Sequence, residues 1–212
     1  MSTKPNRRTA RAPAGAAVLQ ESVTEAIASA MFAELAETGY ARMSMEAVAR
    51  RAGVGKAAVY RRWRSKQAML IDLVGAVVRA NLPEVADTGT LAGDVREYLE
   101  VTLEQARRPA VIRIVLDMIA ETERNPSLSE ALREEVGGPR RAAADALLSR
   151  AVGRGELPAD IDHELAIDLL LAPLVFRLGF TSGQVDDGYL ARLTSAVTAA
   201  VAAARPAGPR PG

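Results

Sequence analysis

"GVGKAAVYRRW", residues 53–63, decides how the chain is read, because Gly53, Gly55 and Lys56 allow two phosphate-binding devices of opposite kind. One is a glycine-rich loop that cradles a nucleotide. The other is the tight turn and reading helix of a DNA-binding motif. Gly53, Gly55 and Ala58 match a dinucleotide fingerprint with alanine in third place, but that fingerprint follows a strand inside a βαβ unit, and the residues before Gly53 carry a helical pattern. A Walker-type loop fails as well. Ala57 stands where the magnesium-binding hydroxyl belongs, and Arg50 stands where the first glycine belongs.

A helix-turn-helix satisfies each residue in turn. In "SMEAVARRAG", Ser44 is an N-cap, Glu46 sits in the positive first turn, Val48 and Ala49 face inward, and Gly53 stops the helix. Gly53 supplies a left-handed backbone, and Ala49 is small where two helices cross. In the following short helix, Val59 and Trp63 share the inner face at i, i+4, leaving Ala57, Tyr60, Arg61 and Arg64 outside. Upstream, "SVTEAIASAMFAELAETG" predicts a first helix that opens on a Ser22/Glu25 capping box and ends at Gly39, with Ile27, Ala30, Met31 and Leu35 inward. Downstream, Ser65 caps a longer helix whose apolar stripe is Met69, Leu70, Leu73 and Val77.

Charge points the same way. Residues 1–66 hold 12 basic and 5 acidic residues, the remainder 15 basic and 21 acidic, so a net charge of +1 conceals a basic third on an acidic body. From Arg50 to Lys66 there are seven basic residues and no acidic one. Such a face suits a polyanion. Docking on an acidic protein is the alternative use of the same charge. The expected DNA contacts are Ser44 and Met45 at the start of the second helix, Lys56, Ala57, Ala58, Tyr60, Arg61 and Arg64 on the third, and Lys66 beside the amides of the fourth.

The stretch "TGYARMSMEAVARRAGVGKAAVYRRWRSKQAML", residues 38–70, resembles the tetracycline-repressor (TetR) family of bacterial one-component regulators, a likeness running from Gln20 to about Leu73. Two positions depart from the family pattern: Gly55 replaces a usual serine, and a threonine usual near Ala58 is missing, removing a cap hydroxyl and a possible phosphate contact. "RAVGRGELPADID", residues 150–162, looks like a recurrent C-terminal subtype. The resemblance implies a repressor that binds a palindromic double-stranded DNA operator as a homodimer through its last two helices, and that an unidentified small-molecule effector releases.

The fold expected is all-α with about nine helices. The expected parts are a basic arm at 1–19 (Arg7, Arg8 and Arg11) without structure of its own, a helix-turn-helix domain at 20–66, a helical effector-binding and dimerisation domain at 67–204, and an unstructured tail at 205–212. Gly137, Gly138 and Pro139 predict a break between two helices, and Asp162 predicts a cap. Leu190, Leu193, Val197 and Val201 on the last helix suit either a partner or the chain's own core. Charges interrupting apolar runs make Arg113, Asp117, Met118, Phe176 and Arg177 the effector-pocket candidates, with Pro173 as a possible kink. No catalysis, cofactor or metal is expected. Cysteine is absent, the single histidine, His163, lacks ligand company, and Thr181 stands where a nucleophile elbow needs serine in "GFTSG". "LLLAPLV" at 169–175 is too short for a membrane helix, so the cytoplasm is the expected compartment.

Overall fold

The computed structural model describes residues 15–82, 87–181 and 183–206, with the side chains of 15–20 and Pro109 left aside; every described element is helical. In order, the helices are α1 (Gly15–Arg42), α2 (Met45–Arg51), α3 (Lys56–Tyr60), α4 (Lys66–Ala80), α5 (Leu91–Ala106), α6 (Pro109–Thr122), α7 (Pro126–Leu132), α8 (Gly138–Gly153), α9 (His163–Val175) and α10 (Asp187–Ala203).

The first helix begins seven residues before Ser22, at Gly15, so Ser22 lies inside it rather than at its cap. Ala16 to Gln20 lack a breaker, and α1 runs through them. Residues 1–14 of the expected arm, and the tail from residue 207, lie outside the described residues. The chain bends at Gly39, whose φ of 75° is left-handed, before the last residues of α1.

Ser44 caps α2 by accepting from the Ala47 amide at 3.1 Å. At its other end, Gly53 adopts φ 68°, its amide donating to Arg50 O (3.2 Å) while the Val54 amide donates to Ala49 O (3.0 Å). These two bonds form a Schellman cap, which turns the chain sharply into α3. Gly55, at the N-cap of α3, provides no side-chain bond.

Two glycine- or proline-marked sites differ from the expected breaks. Between α7 and α8 the chain stays helical through a π turn at Arg133–Gly137, closed by Gly138 N donating to Arg133 O, and Pro139 falls in the first turn of α8 where no amide donor is needed. Pro173 likewise leaves α9 unbroken to Val175, and a second π turn, Phe176–Phe180, finishes it.

Two apolar cores result. The first joins Ile27, Met31 and Leu35 of α1 with Val48, Val59, Trp63, Met69, Leu70 and Leu73, and takes in Met118 of α6 and Leu128 of α7. The second packs α5, α8, α9 and α10 around Tyr98, Leu99, Leu147, Leu148, Leu170 and Leu174. Leu190, Val197 and Val201 of α10 are buried there, and Leu193 packs against it, so these four serve the chain's own core. Outside, α10 shows Ala191, Arg192, Ser195, Ala196, Ala199 and Ala203.

A buried charge ties the second body together. Asp94, fully buried in α5, accepts from the Thr88 amide (2.8 Å), the Thr88 hydroxyl (2.7 Å) and Arg154 Nη2 (2.9 Å). Burial pushes its carboxyl up, but the Thr88 and Arg154 bonds outweigh that and hold it below the usual carboxylate range. Arg154 also meets Asp87 and Glu156, and Glu156 accepts from the Leu91 amide at 2.7 Å. Asp162 caps α9 as expected, accepting from Leu165 N at 3.0 Å, and His163 is half-buried against Asp145.

Candidate nucleic-acid interface

The short α3 is held by its inner face. Val59 is fully buried, Trp63 is nearly so, and the indole Nε1 donates to Asp72 Oδ2 at 2.8 Å, locking the end of α3 against α4. With that face fixed, Lys56, Ala57, Tyr60, Arg61 and Arg64 are turned to the exterior, and Ala58 is half-buried. Arg62 turns back instead, donating to Thr24 Oγ1 and Ala58 O. Arg51 is engaged by Glu34 and Glu37 of α1.

Three of the expected contacts stand differently. Met45 is 5% exposed and belongs to the first core, so its side chain is not at the surface. Ser44 is half-buried with its hydroxyl spent on capping α2. Lys66 is drawn to the bend in α1: Nζ donates to Tyr40 O (2.8 Å) and Ala41 O (3.1 Å) and lies 4.3 Å from the centre of the Tyr40 ring. The exposed carbonyls at a helix end are a local sink for an ammonium, which the sequence pattern did not reveal.

One acid sits among these groups. Glu46, in the first turn of α2, accepts from the Tyr60 hydroxyl at 2.8 Å and lies 4.0 Å from Lys56 Nζ. The Tyr60 bond holds the Glu46 carboxyl below its ordinary range, and the same bond to an anion pushes the Tyr60 hydroxyl up.

The pocket candidates do not converge. Arg113 is exposed, Met118 lies in the first core, and Phe176 is 60% exposed and stacked on Phe180 at 5.7 Å. Arg177 packs its guanidinium over the Tyr189 ring (4.7 Å) and donates to Gln184 O (3.2 Å), clamping the turn into α10. Asp117 accepts from the Tyr40 amide at 2.7 Å, and a Cβ on Gly39 would lie 2.9 Å from its Oδ1. It joins α6 to the end of α1, a role legible only once residues 77 apart are brought together. Cavities are found elsewhere. One of about 480 Å³ is lined by Leu103, Arg107, Arg108, Ile112, Leu178 and Val185, among others, and one of about 440 Å³ by Asn81, Glu100, Glu104, Gln105 and Arg108, among others.

Among the described residues no helix is long and apolar enough to cross a membrane, and no three acidic or histidine side chains group as metal ligands would.

Comparison with known proteins gives one answer. Residues 27–73 match the family model "Bacterial regulatory proteins, tetR family", and residues 85–197 match "Tetracyclin repressor-like, C-terminal domain". The chain is 37% identical over 166 residues to the DNA-binding transcriptional repressor TetR of Mycobacteroides abscessus, covering 77% of this chain and 85% of that protein. It is 31% identical over 170 residues to the uncharacterised HTH-type transcriptional regulator YdeS of Bacillus subtilis, covering 80% and 85%. The structure of Salmonella enterica GusR superposes with a TM-score of 0.71 at 24% identity, covering 84% of this chain and 95% of that one, a likeness of fold. A capped α2, a Schellman turn and a basic-faced α3 on a helical body therefore belong to a member of the TetR family of helix-turn-helix transcriptional regulators, DNA-binding proteins without enzymatic activity.

Proposed function

We propose that this regulator is a repressor, acting in the cytoplasm, that binds a palindromic operator as a homodimer and is released when a small molecule enters its C-terminal body. The observation that carries the DNA-reading part is the outer face of α3: Lys56, Ala57, Tyr60, Arg61 and Arg64 point outward because Val59 and Trp63 are pinned inside. In a major groove, Arg61 reads guanine or grips a phosphate, Tyr60 donates to a phosphate, and Ala57 meets a thymine methyl. The relative from Mycobacteroides abscessus, described as a repressor, supports the direction of control.

Dimerisation is supported by what α9 and α10 leave uncovered. Leu165, Ala172, Phe176 and Phe180 form an exposed apolar stripe along α9 and its π turn, and α10 shows the small side chains that allow close helix approach. For release, α6 is the natural conduit. It borders the 480 Å³ cavity through Ile112 and grips the end of α1 through Asp117, so a ligand that shifts α6 biases the spacing of the two reading helices in a dimer.

Selection of bound sequences from a random duplex library, followed by titration of the winner at two salt concentrations, tests the reading. An enriched palindrome with a steep salt slope is the expected result. Weak, uniform binding to all duplexes would remove the operator from the account.

A further inference from the structure

Glu46 is the acid that reaches the exposed face of α3. Its carboxylate meets the Tyr60 hydroxyl at 2.8 Å and stands 4.0 Å from the Lys56 ammonium, so two donors from the outer face of α3 converge on one anionic oxygen, Oε1. That is the environment a phosphate oxygen takes. Arg61 and Arg64, beside them, have no acidic partner within ion-pair distance among the described residues. Glu46 also serves α2, since it sits in the positive first turn and its carboxylate accepts from its own amide. Ser44 already caps α2, and the Glu46 side chain is 39% exposed and outside both cores.

We propose that Glu46 is a positioning residue of the DNA interface: in the unbound protein it occupies the place of a backbone phosphate, holding Tyr60 and Lys56, and a DNA phosphate must displace it. This rests on the reading of α3 as the DNA-facing helix. The displaced carboxylate then faces the polyanion, so each encounter with DNA, whatever its sequence, forfeits part of its electrostatic gain. The residue thereby lowers affinity for non-cognate DNA, where phosphate contacts supply nearly all of the binding.

The test is E46Q, which keeps the size and removes the charge, titrated by fluorescence anisotropy against a random-sequence duplex over a range of salt concentrations. The variant is expected to bind about 3- to 10-fold tighter at ~0.1 M salt, with a log–log salt slope steeper by about one. In a Y60F background the gain from E46Q should fall by about half or more, because the hydroxyl that Glu46 held is gone. Unchanged or weaker binding to random duplex, at an unchanged melting temperature, overturns the proposal. So does an equal gain in the Y60F background, which would make the effect distant charge repulsion, or a loss confined to a selected operator, which would make Glu46 a reader of bases. If the parent protein favours no sequence at all, the operator reading falls, while random duplex still judges Glu46.

Discussion

At the scale of single residues, the turn between α2 and α3 places two glycines under opposite constraints. Gly53 needs its left-handed φ of 68°, and open space surrounds it, so Gly53→Ala meets only the backbone penalty. About 1 kcal/mol is expected to be lost. Gly55 has φ −68°, ψ 145° and equally open space, a conformation any residue adopts at an N-cap. Gly55→Ser restores a cap hydroxyl and stiffens the unfolded chain, for a gain of about 0.5–1 kcal/mol. For a chain of this length, thermal melting should show Gly53→Ala down by about 2–4 °C and Gly55→Ser up by somewhat less. The two shifts must differ in sign.

At the scale of helices, the contact between α6 and α1 is the junction to probe. Asp117→Ala leaves the Tyr40 amide without its acceptor and is expected to cost about 1–3 kcal/mol. Amide exchange at Tyr40 should quicken by more than at Val59, which lies in the same core but away from the junction. Equal quickening at both would show that Asp117 holds the whole N-terminal core and not the junction. What the sequence disclosed about these elements follows from range. The α2–α3 unit was legible because its signals are local: a cap three residues from its amide, a glycine two residues past the end, and an inner face at i, i+4. The start of α1 and the two π turns were not, since Ser22 and Gly137 carry breaker chemistry that the surrounding helices override. Candidate site residues divide in the same way. Ala57, Tyr60, Arg61 and Arg64 lie on the exposed face that periodicity assigned them, and Lys56 is exposed beside them, whereas Met45, Lys66, Asp117 and Arg177 have fates set by partners remote in sequence or by burial.

At the scale of the molecule, one buried carboxylate and one exposed stripe make separate predictions. The Asp94 carboxyl is held below its unfolded value, so its stabilisation is complete above the ordinary aspartate range and is lost as pH falls through the depressed folded value. Asp94→Asn should therefore be less stable at pH 7, by about 1.5–3 kcal/mol, and its denaturant midpoint should decline less steeply below about pH 4 than that of the parent. Identical acid slopes would mean that Asp94 does not titrate with folding. Replacing Phe176 and Phe180 with serine, at 60% and 66% exposure, should leave the fold intact and shift sedimentation from dimer toward monomer at micromolar concentration. A variant that stays dimeric would move the interface off this stripe.

Met118 of α6 and Leu128 of α7 complete the core beneath α1 to α4. The DNA-binding domain is thus roofed by helices that belong, in sequence, to the C-terminal half. A fragment ending at residue 82 would lose Met118 and Leu128 from its core, and should be expressed as an insoluble or molten species. Anyone building hybrid regulators from this chain should accordingly not splice between α4 and α5. The transplantable module is the DNA-binding domain together with the apolar underside of α6 and α7, and a foreign C-terminal body will be tolerated only if it offers a comparable pair of plugs at those two positions.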